Sequence, residues 1–195
     1  MILPKNIKVN ITPKMIWTSV IAGLIVLLVG GFVALCIDIA TYTTFYDKYY
    51  KIEMKYPVKW KKLEDFQGAI VAFVAPVKDA LEPTPPNVNV TVTDNLGEEM
   101  SLEQFARFAM VQTETILSTS IEVLEKKPVT LSGGQPAYSY TIKSKVIPTV
   151  QMKFVLYLKD NKGFIITCMA DESVFKKNLG IFNEMIKSYK IDVKK

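Results

Sequence analysis

The sequence predicts a mixed α/β domain with antiparallel strands, preceded by one transmembrane helix. Residues 15–37 form an uncharged apolar stretch, longer than the roughly 20 residues that a bilayer-spanning helix needs. Downstream segments that alternate apolar and polar residues predict half-buried antiparallel strands. Residues 101–120 and 172–189 predict helices, from a capping box and from apolar spacing respectively. We divide the chain into a tail (1–14), a transmembrane helix (15–37), an aromatic juxtamembrane linker (38–48) and a soluble domain (49–195).

Both ends of the predicted membrane helix are marked in the sequence. Thr12 is suited to cap the helix, Pro13 to its first turn and Trp17 to the membrane interface. A cleavable signal peptide would have a shorter apolar core of about 7–15 residues, and a lipoprotein would have a small residue where Leu35 precedes Cys36. An uncleaved anchor is therefore favoured. A belt of aromatic residues is expected at the second interface: Tyr42, Phe45, Tyr46, Tyr49 and Tyr50.

Lysines on either side of the apolar stretch indicate its orientation. Lys5, Lys8 and Lys14 precede it, whereas Lys48 and Lys51 are the lysines that follow it closely. This small excess on the N-terminal side favours a cytoplasmic N-terminus. The soluble domain is then expected in an extracytoplasmic space: the periplasm, a lumen or the cell exterior.

Small residues of the apolar stretch share one side of the predicted helix, with Gly31 and Cys36 as exceptions. At about 100° per residue, Ser19, Gly23, Gly30 and Ala34 fall on one face. Lipid gives no reason for small residues to segregate, whereas a neighbouring helix can approach closely where side chains are small. We expect these four residues to be a helix-packing site for another transmembrane subunit or a second copy of the chain.

The soluble domain contains a succession of predicted strands. The segment 49–57 alternates and ends at a proline, 68–76 is largely apolar, and 87–94 alternates strictly. The sequence "KDNKG" predicts a hairpin turn. Four further strands are predicted after the first helix of the domain: "IEVLEKKPVTL", "PAYSYTIKSKV", "VQMKFVLYLKD" and "GFIITCMA".

Each predicted helix of the soluble domain has a start signal. Ser101 and Gln104 form a capping box, and Asp171 is suited to cap the last helix. Trp60, just after the first strand, is expected in the core. An apolar stripe on the last helix predicts packing against the sheet: Phe175, Leu179, Phe182, Ile186 and Tyr189.

A set of core and turn positions in residues 49–191 resembles one known family. These positions are Tyr56, Pro57, Trp60, Val88 to Val92, Leu102, Gly134, Pro136, Ala137, Phe175, Phe182, Ser188 and Tyr189. Their order resembles the PsbP family, named for an extrinsic photosystem subunit, whose fold the Ran-binding Mog-type proteins share. The resemblance implies an antiparallel sheet sandwiched between helices, and docking rather than catalysis. The photosystem subunit docks through an N-terminal extension, so its docking residues are not carried over to this chain.

The composition argues against several classes of function. The chain has no histidine and 2 cysteines, so a metal site would consist of carboxylates, which suit calcium or magnesium. Asp94, Glu98 and Glu99 are close together but match no calcium loop, and we expect no metal site and no cofactor. The 24 basic residues are dispersed rather than clustered, which disfavours a nucleic-acid partner.

The sequence shows no reactive constellation, and two pairs of adjacent lysines could bind an anionic partner. No nucleophile lies at a spacing that indicates a base, so we assign no catalytic residue and expect a protein that is not an enzyme. The pairs Lys126–Lys127 and Lys176–Lys177 are interpreted as solvated surface, with anionic head groups or an acidic partner as the alternative.

Two hypotheses of function follow from the sequence. In the first, the chain is a non-enzymatic single-pass membrane protein whose extracytoplasmic domain is an accessory, assembly or stabilising subunit of a larger membrane protein complex. In the alternative, the helix tethers a module that binds a ligand or an ion. A packing face on the membrane helix favours the first hypothesis, because a tether needs only an apolar surface.

Overall fold

The computed structural model describes residues 42–193 except for six short segments, 67, 78–83, 95, 97–99, 118–120 and 145–148. The predicted tail and membrane helix lie outside the described residues. The same holds for the predicted packing residues Ser19, Gly23, Gly30 and Ala34, and for Glu98 and Glu99. Within the described part of the chain, neither helix has the length and apolar character needed to cross a bilayer.

The described residues form nine strands and two helices, which confirms the predicted antiparallel α+β fold. Seven strands form one sheet in the order β3-β4-β5-β9-β8-β7-β6, and β1 pairs with β2 in a separate sheet. Every neighbouring pair is antiparallel. The elements are β1 (Tyr42–Asp47), β2 (Ile52–Pro57), β3 (Lys61–Phe66), β4 (Ala69–Val74), β5 (Asn87–Thr93), α1 (Leu102–Leu117), β6 (Ile121–Thr130), β7 (Pro136–Ser144), β8 (Val150–Lys159), β9 (Lys162–Asp171) and α2 (Glu172–Ser188).

The two helices cover opposite faces of the seven-stranded sheet. Alternate residues of a strand face opposite ways, and in β8 Val155 and Tyr157 join the apolar cluster that contains α2. Phe154 and Leu156 join the second cluster, which contains α1. The β1–β2 sheet lies on the α2 side, where its apolar residues belong to the first cluster. The expected sheet between helices is thus confirmed.

The start of the domain differs from the prediction. The compact unit begins at Tyr42 rather than Tyr49, because β1 occupies most of the predicted linker 38–48. Phe45 is buried, and its ring meets the ring of Phe73 edge-on at 5.9 Å between centroids. Much of the predicted aromatic belt is therefore domain core, since Tyr42 and Tyr50 also pack against this cluster.

Strand β3 was not predicted because its residues do not alternate in polarity. Of the segment "KKLEDF", only Leu63 is partly buried. The strand lies at one edge of the sheet and pairs only with β4, so most of its side chains face water.

The turn and capping signals are confirmed. Asp160 and Asn161 connect β8 to β9 with φ of 48° and 58°, as a two-residue hairpin turn requires. The Ser101 N–H donates to Gln104 Oε1 at 2.8 Å, and the Gln104 N–H donates to Ser101 Oγ at 3.2 Å. Asp171 Oδ1 accepts from the Ser173 N–H at 2.9 Å, and hydrogen bonds from Ser173 lower the pKa of Asp171.

The apolar stripe of α2 packs into the larger core cluster as predicted. Phe175 and Phe182 are buried, and Tyr189, directly after the helix, is buried too. Trp60 is also buried and meets Phe182 edge-on at 6.3 Å. The hydroxyls of Tyr157 and Tyr189 lie 2.7 Å apart, so each buried phenol has a hydrogen-bond partner.

The position of β1 predicts where the domain can be truncated. A fragment of residues 42–195 should unfold cooperatively, whereas a fragment of residues 49–195 should be less stable by at least about 3 kcal/mol. The reason is that loss of buried Phe45 leaves a cavity beside Phe73. Urea titration of both fragments measures the difference, and equal midpoints would show that β1 does not contribute to the core.

The α2 stripe predicts a large effect for one substitution. Phe182→Ala should lower the free energy of unfolding by about 3–5 kcal/mol, because the ring is fully buried. Phe66→Ala is the matched control: Phe66 is 44% exposed, so its loss should be under about 1 kcal/mol. Similar losses in the two variants would contradict the placement of Phe182 in the core.

Candidate docking surface

A groove runs between α1 and the edge strand β6. It has a volume of about 270 Å³. We call it the α1–β6 groove and define it by its lining residues: Glu103, Arg107, Met110, Val111, Glu114, Ile121, Val123, Lys126 and Tyr140. The groove forms because β6 extends the sheet beyond β7 and β8, the strands on which α1 packs.

The middle of the groove is apolar and open to water. Val111 of α1 is 53% exposed and Val123 of β6 is 52% exposed. Met110 and Ile121 are partly buried beside them, and Tyr140 of β7 is buried. Methionine adapts its shape to different partners, and apolar side chains that remain exposed across a concave surface are typical of a binding site.

Charged side chains surround the apolar middle. Arg107 and Glu103 approach to 3.9 Å along α1. Lys126 Nζ lies over the rings of Tyr138 and Tyr140, at 5.8 and 5.5 Å from their centroids. An apolar centre within a charged rim is the usual organisation of a protein–protein interface.

The adjacent lysine differs from Lys126 in its surroundings. Lys127 binds Glu125 at 2.7 Å, and this hydrogen bond lowers the pKa of Glu125. The sequence analysis interpreted both lysines as solvated surface. In the structure, Lys126 lies over two tyrosine rings, whereas Lys127 forms an ion pair with Glu125.

The free edge of β6 is less suited to binding than the groove. Pro128 has no N–H to donate, and the pairing register shifts between Val123 and Glu125. Proline, edge lysines and bulges are the features that prevent a sheet edge from accepting another strand. The geometry therefore favours side-chain docking into the groove over addition of a strand.

Of the groove residues, only Lys126 was singled out from the sequence. A signal was present, because Val123 and Leu124 interrupt an otherwise charged segment, "EVLEKK" (122–127), and both remain exposed. Val111 likewise falls outside the buried stripe of α1, which contains Phe105, Ala106 and Ala109.

A second concavity, of about 290 Å³, lies beside the β1–β2 and β8–β9 turns. Tyr49 and Tyr50 line it and meet edge-on at 4.8 Å. Two of its three lysines are paired with carboxylates: Lys162 with Asp94, and Lys159 with Asp192. Burial, followed by the charge of Asp94, raises the pKa of Tyr50.

The pairing of Lys162 with Asp94 makes a metal site less favourable at the acidic cluster identified in the sequence, which contains Asp94. Asp94 is engaged by Lys162, and the hydrogen bond raises the pKa of Lys162. A cation at Asp94 would have to displace this ammonium group. Over the residues that the structure describes, no three acidic or cysteine side chains converge in a way that suits a metal ion.

Two buried side chains with nucleophilic atoms, Cys168 and Ser139, are not activated. Cys168 is inaccessible, and burial raises the pKa of its thiol to about 12, so the reactive thiolate is absent at neutral pH. Ser139 Oγ is buried without a hydrogen-bond partner, hence no base contacts it. Neither side chain has the environment of a catalytic nucleophile.

Comparison with known proteins agrees with this fold. The PsbP family model matches residues 40–191, whereas no curated protein sequence matches the chain significantly. The structure is similar to cyanobacterial PsbP (CyanoP) from Synechocystis sp. PCC 6803, with a TM-score of 0.57 and 14% identity, over 78% of this chain and 93% of that one.

Two other solved structures are similar to the same degree. One is LpqN, involved in cell envelope biogenesis of Mycobacterium tuberculosis, with a TM-score of 0.56 and 16% identity, over 77% of this chain and 90% of that one. The other is the Ran-binding protein Mog1p of Saccharomyces cerevisiae, with a TM-score of 0.55 and 11% identity, over 77% and 95%. Identities this low show the fold alone. The family model, which matches most of the chain, shows that this protein belongs to the PsbP family.

Proposed function

We propose that the protein is a non-enzymatic, single-pass membrane protein whose extracytoplasmic PsbP domain is an accessory, assembly or stabilising subunit of a larger membrane protein complex. Residues 15–37 would anchor it, and the domain would bind its partner through the α1–β6 groove. The observation that carries this proposal is the pair of valines, Val111 and Val123, that stay more than half exposed across the groove.

The size of the groove predicts a modest affinity for an isolated domain. Full burial of a valine contributes about 1.5–3 kcal/mol, so covering the exposed halves of Val111 and Val123 contributes roughly that amount in total. Association costs more than this in lost translational and rotational freedom. A partner in the same membrane reduces that cost, because the anchor raises the effective concentration of the domain.

The small face of the membrane helix would supply a second contact. Ser19, Gly23, Gly30 and Ala34 offer a neighbouring helix a close approach. Two weak contacts on one chain bind together more tightly than either does alone when both are reached at once. The groove and the helix would therefore act on the same complex.

Two structural neighbours are compatible with a binding role. Mog1p is described as Ran-binding, and LpqN as involved in cell envelope biogenesis. This support is by analogy of fold only. The unreactive environments of Cys168 and Ser139 agree with a role that is not enzymatic.

The alternative role, ion binding, has less support. Asp94 is neutralised by Lys162, and a calcium site needs several free oxygen ligands around the ion. We assign no ligand to the tyrosine-lined concavity, where two of the three lining lysines, Lys159 and Lys162, are paired with carboxylates.

We expect one substitution in the groove to weaken the complex. Val111→Asp places a charge in the apolar middle of the groove, and should lower the amount of partner that co-purifies from native membranes in mild detergent about tenfold. Native gel electrophoresis with mass spectrometry of the complex band measures this. The fold should be unaffected, because Val111 is exposed and the helix propensities of valine and aspartate are similar.

Phe108→Asp is the matched control. Phe108 lies on the same helix and is similarly exposed, but it does not line the groove. The complex should survive in this variant. Equal loss in both variants, or full retention in Val111→Asp, would remove the groove as the docking site.

Substitutions in the membrane helix should show whether the helix packs against a partner subunit or only tethers the domain to the membrane. Gly23→Leu combined with Gly30→Leu fills the small face and should abolish association through it. Leu24→Ala combined with Leu28→Ala alters the opposite side and should leave association intact. Co-purification of the full chain with its partner is the measurement. Retention of the partner by both double variants would mean that the helix is only a tether.

A further inference from the structure

One end of the domain brings together the chain entry and two loops. Tyr42, the first residue of β1, pairs with Pro57 of β2. A tight turn follows, in which the Trp60 N–H donates to the Pro57 carbonyl at 2.9 Å. Lys61, which begins β3, pairs with Val74, the last residue of β4. We call this the entry end, consisting of Tyr42, residues 57–61 and residues 74–77.

The entry end presents apolar and basic side chains to solvent. Val58 is 51% exposed and Val77 is 60% exposed. Lys59 and Lys61 are exposed beside Val58. Trp60, between these lysines, is buried against Phe182 of α2, so the turn that carries Val58 and Lys59 is fixed to the core.

Two acidic residues described at the same end, Asp171 and Glu172, are already engaged. The sheet pairings place Asp171 there, because it pairs with Val150 at the end of β9, and its N–H donates to the Thr84 carbonyl at 3.3 Å. Its carboxylate caps α2. Glu172, the next residue, binds Lys143 at 2.6 Å. The exposed lysines at the entry end therefore are not paired with either carboxylate.

The length of chain before Tyr42 limits how far this end can be from a bilayer. This step rests on the proposed membrane anchor at residues 15–37. Only residues 38–41 separate Ile37 from Tyr42, and an extended chain covers at most about 18 Å over that separation. The head-group layer takes up about 5–8 Å of this on each side of the hydrocarbon.

We propose that the entry end rests on anionic lipid head groups, with Val58 and Val77 inserted shallowly among them and Lys59 and Lys61 bound to lipid phosphates. Lysines near an anionic membrane surface are attracted to its negative potential. The valines add burial of apolar surface that water otherwise covers. The contact fixes the orientation of the domain, so that the end with the β1–β2 turn is directed away from the bilayer.

Nitroxide labels on the full chain test this contact. The chain used for labelling carries the substitution Cys36→Ser. Cys168 is not replaced, because it is buried and unreactive. Val77→Cys is the test position and Lys48→Cys, in the exposed turn at the other end of the β1–β2 hairpin, is the control. Labelled chains are placed in lipid nanodiscs of phosphatidylcholine and phosphatidylglycerol, and collision rates with oxygen and with a water-soluble nickel complex are measured by electron paramagnetic resonance.

We expect the ratio of oxygen to nickel collisions at position 77 to exceed that at position 48 at least about twofold, because oxygen concentrates in lipid while nickel stays in water. In discs of phosphatidylcholine alone, the excess should fall. Equal ratios at the two positions in a chain that stays in the disc would overturn the lipid contact and leave the anchor intact. Failure of the chain to enter discs would instead overturn the anchor.

The remaining outcome is that another protein, rather than lipid, covers the entry end. If the label at position 77 is shielded from nickel in native membranes but not in lipid discs, another subunit covers the entry end, and the proposal of a lipid contact is wrong.

Discussion

The direct passage from β9 into α2 is the constraint on which most of the fold depends. The strand ends at Asp171 and the helix begins at Glu172, so the helix must turn back across the sheet at once. Asp171 makes this possible by accepting the Ser173 N–H. The stripe with Phe175 and Phe182 is then laid over one face of the sheet, where it meets Trp60 from the β2–β3 turn. After the helix, Lys190 exchanges two backbone hydrogen bonds with Glu53, which ties β2 to the same face.

The sequence predicted those strands and helices in which some side chains face the core and others face water. Strand β5 was found because Val88 and Val90 are buried while its other positions are partly exposed, and α2 because its apolar residues recur at helical spacing. Strand β3 was missed because water surrounds most of it. Strand β1 was misassigned because Tyr42 and Phe45 fit both a membrane interface and a domain core. The groove was missed because it depends on how far β6 extends past α1, which no local pattern encodes.

The proposed contacts of the groove, the membrane helix and the entry end would each be weak by themselves. An exposed pair of valines, a short row of small residues and two lysines contribute a few kcal/mol at most in each case. When these contacts are confined to one surface, their combined binding is tighter. The rotational freedom that is lost on forming one contact need not be lost again on forming the next. In the proposed role, weak individual contacts would also allow the subunit to be exchanged, as an assembly factor requires.

The pairing of β5 with β9 has a consequence for the order of folding. Strands β6 to β9 follow one another in the chain and pair as successive neighbours, so their contacts are local. Strand β5 instead pairs with β9, after α1 and three strands have intervened. Closing so long a loop costs chain entropy before any contact compensates for it. Strands β3 to β5 therefore cannot join β6 to β8 in one sheet during synthesis until β9 has emerged, and the larger core cluster closes only when α2, which follows β9, is also available.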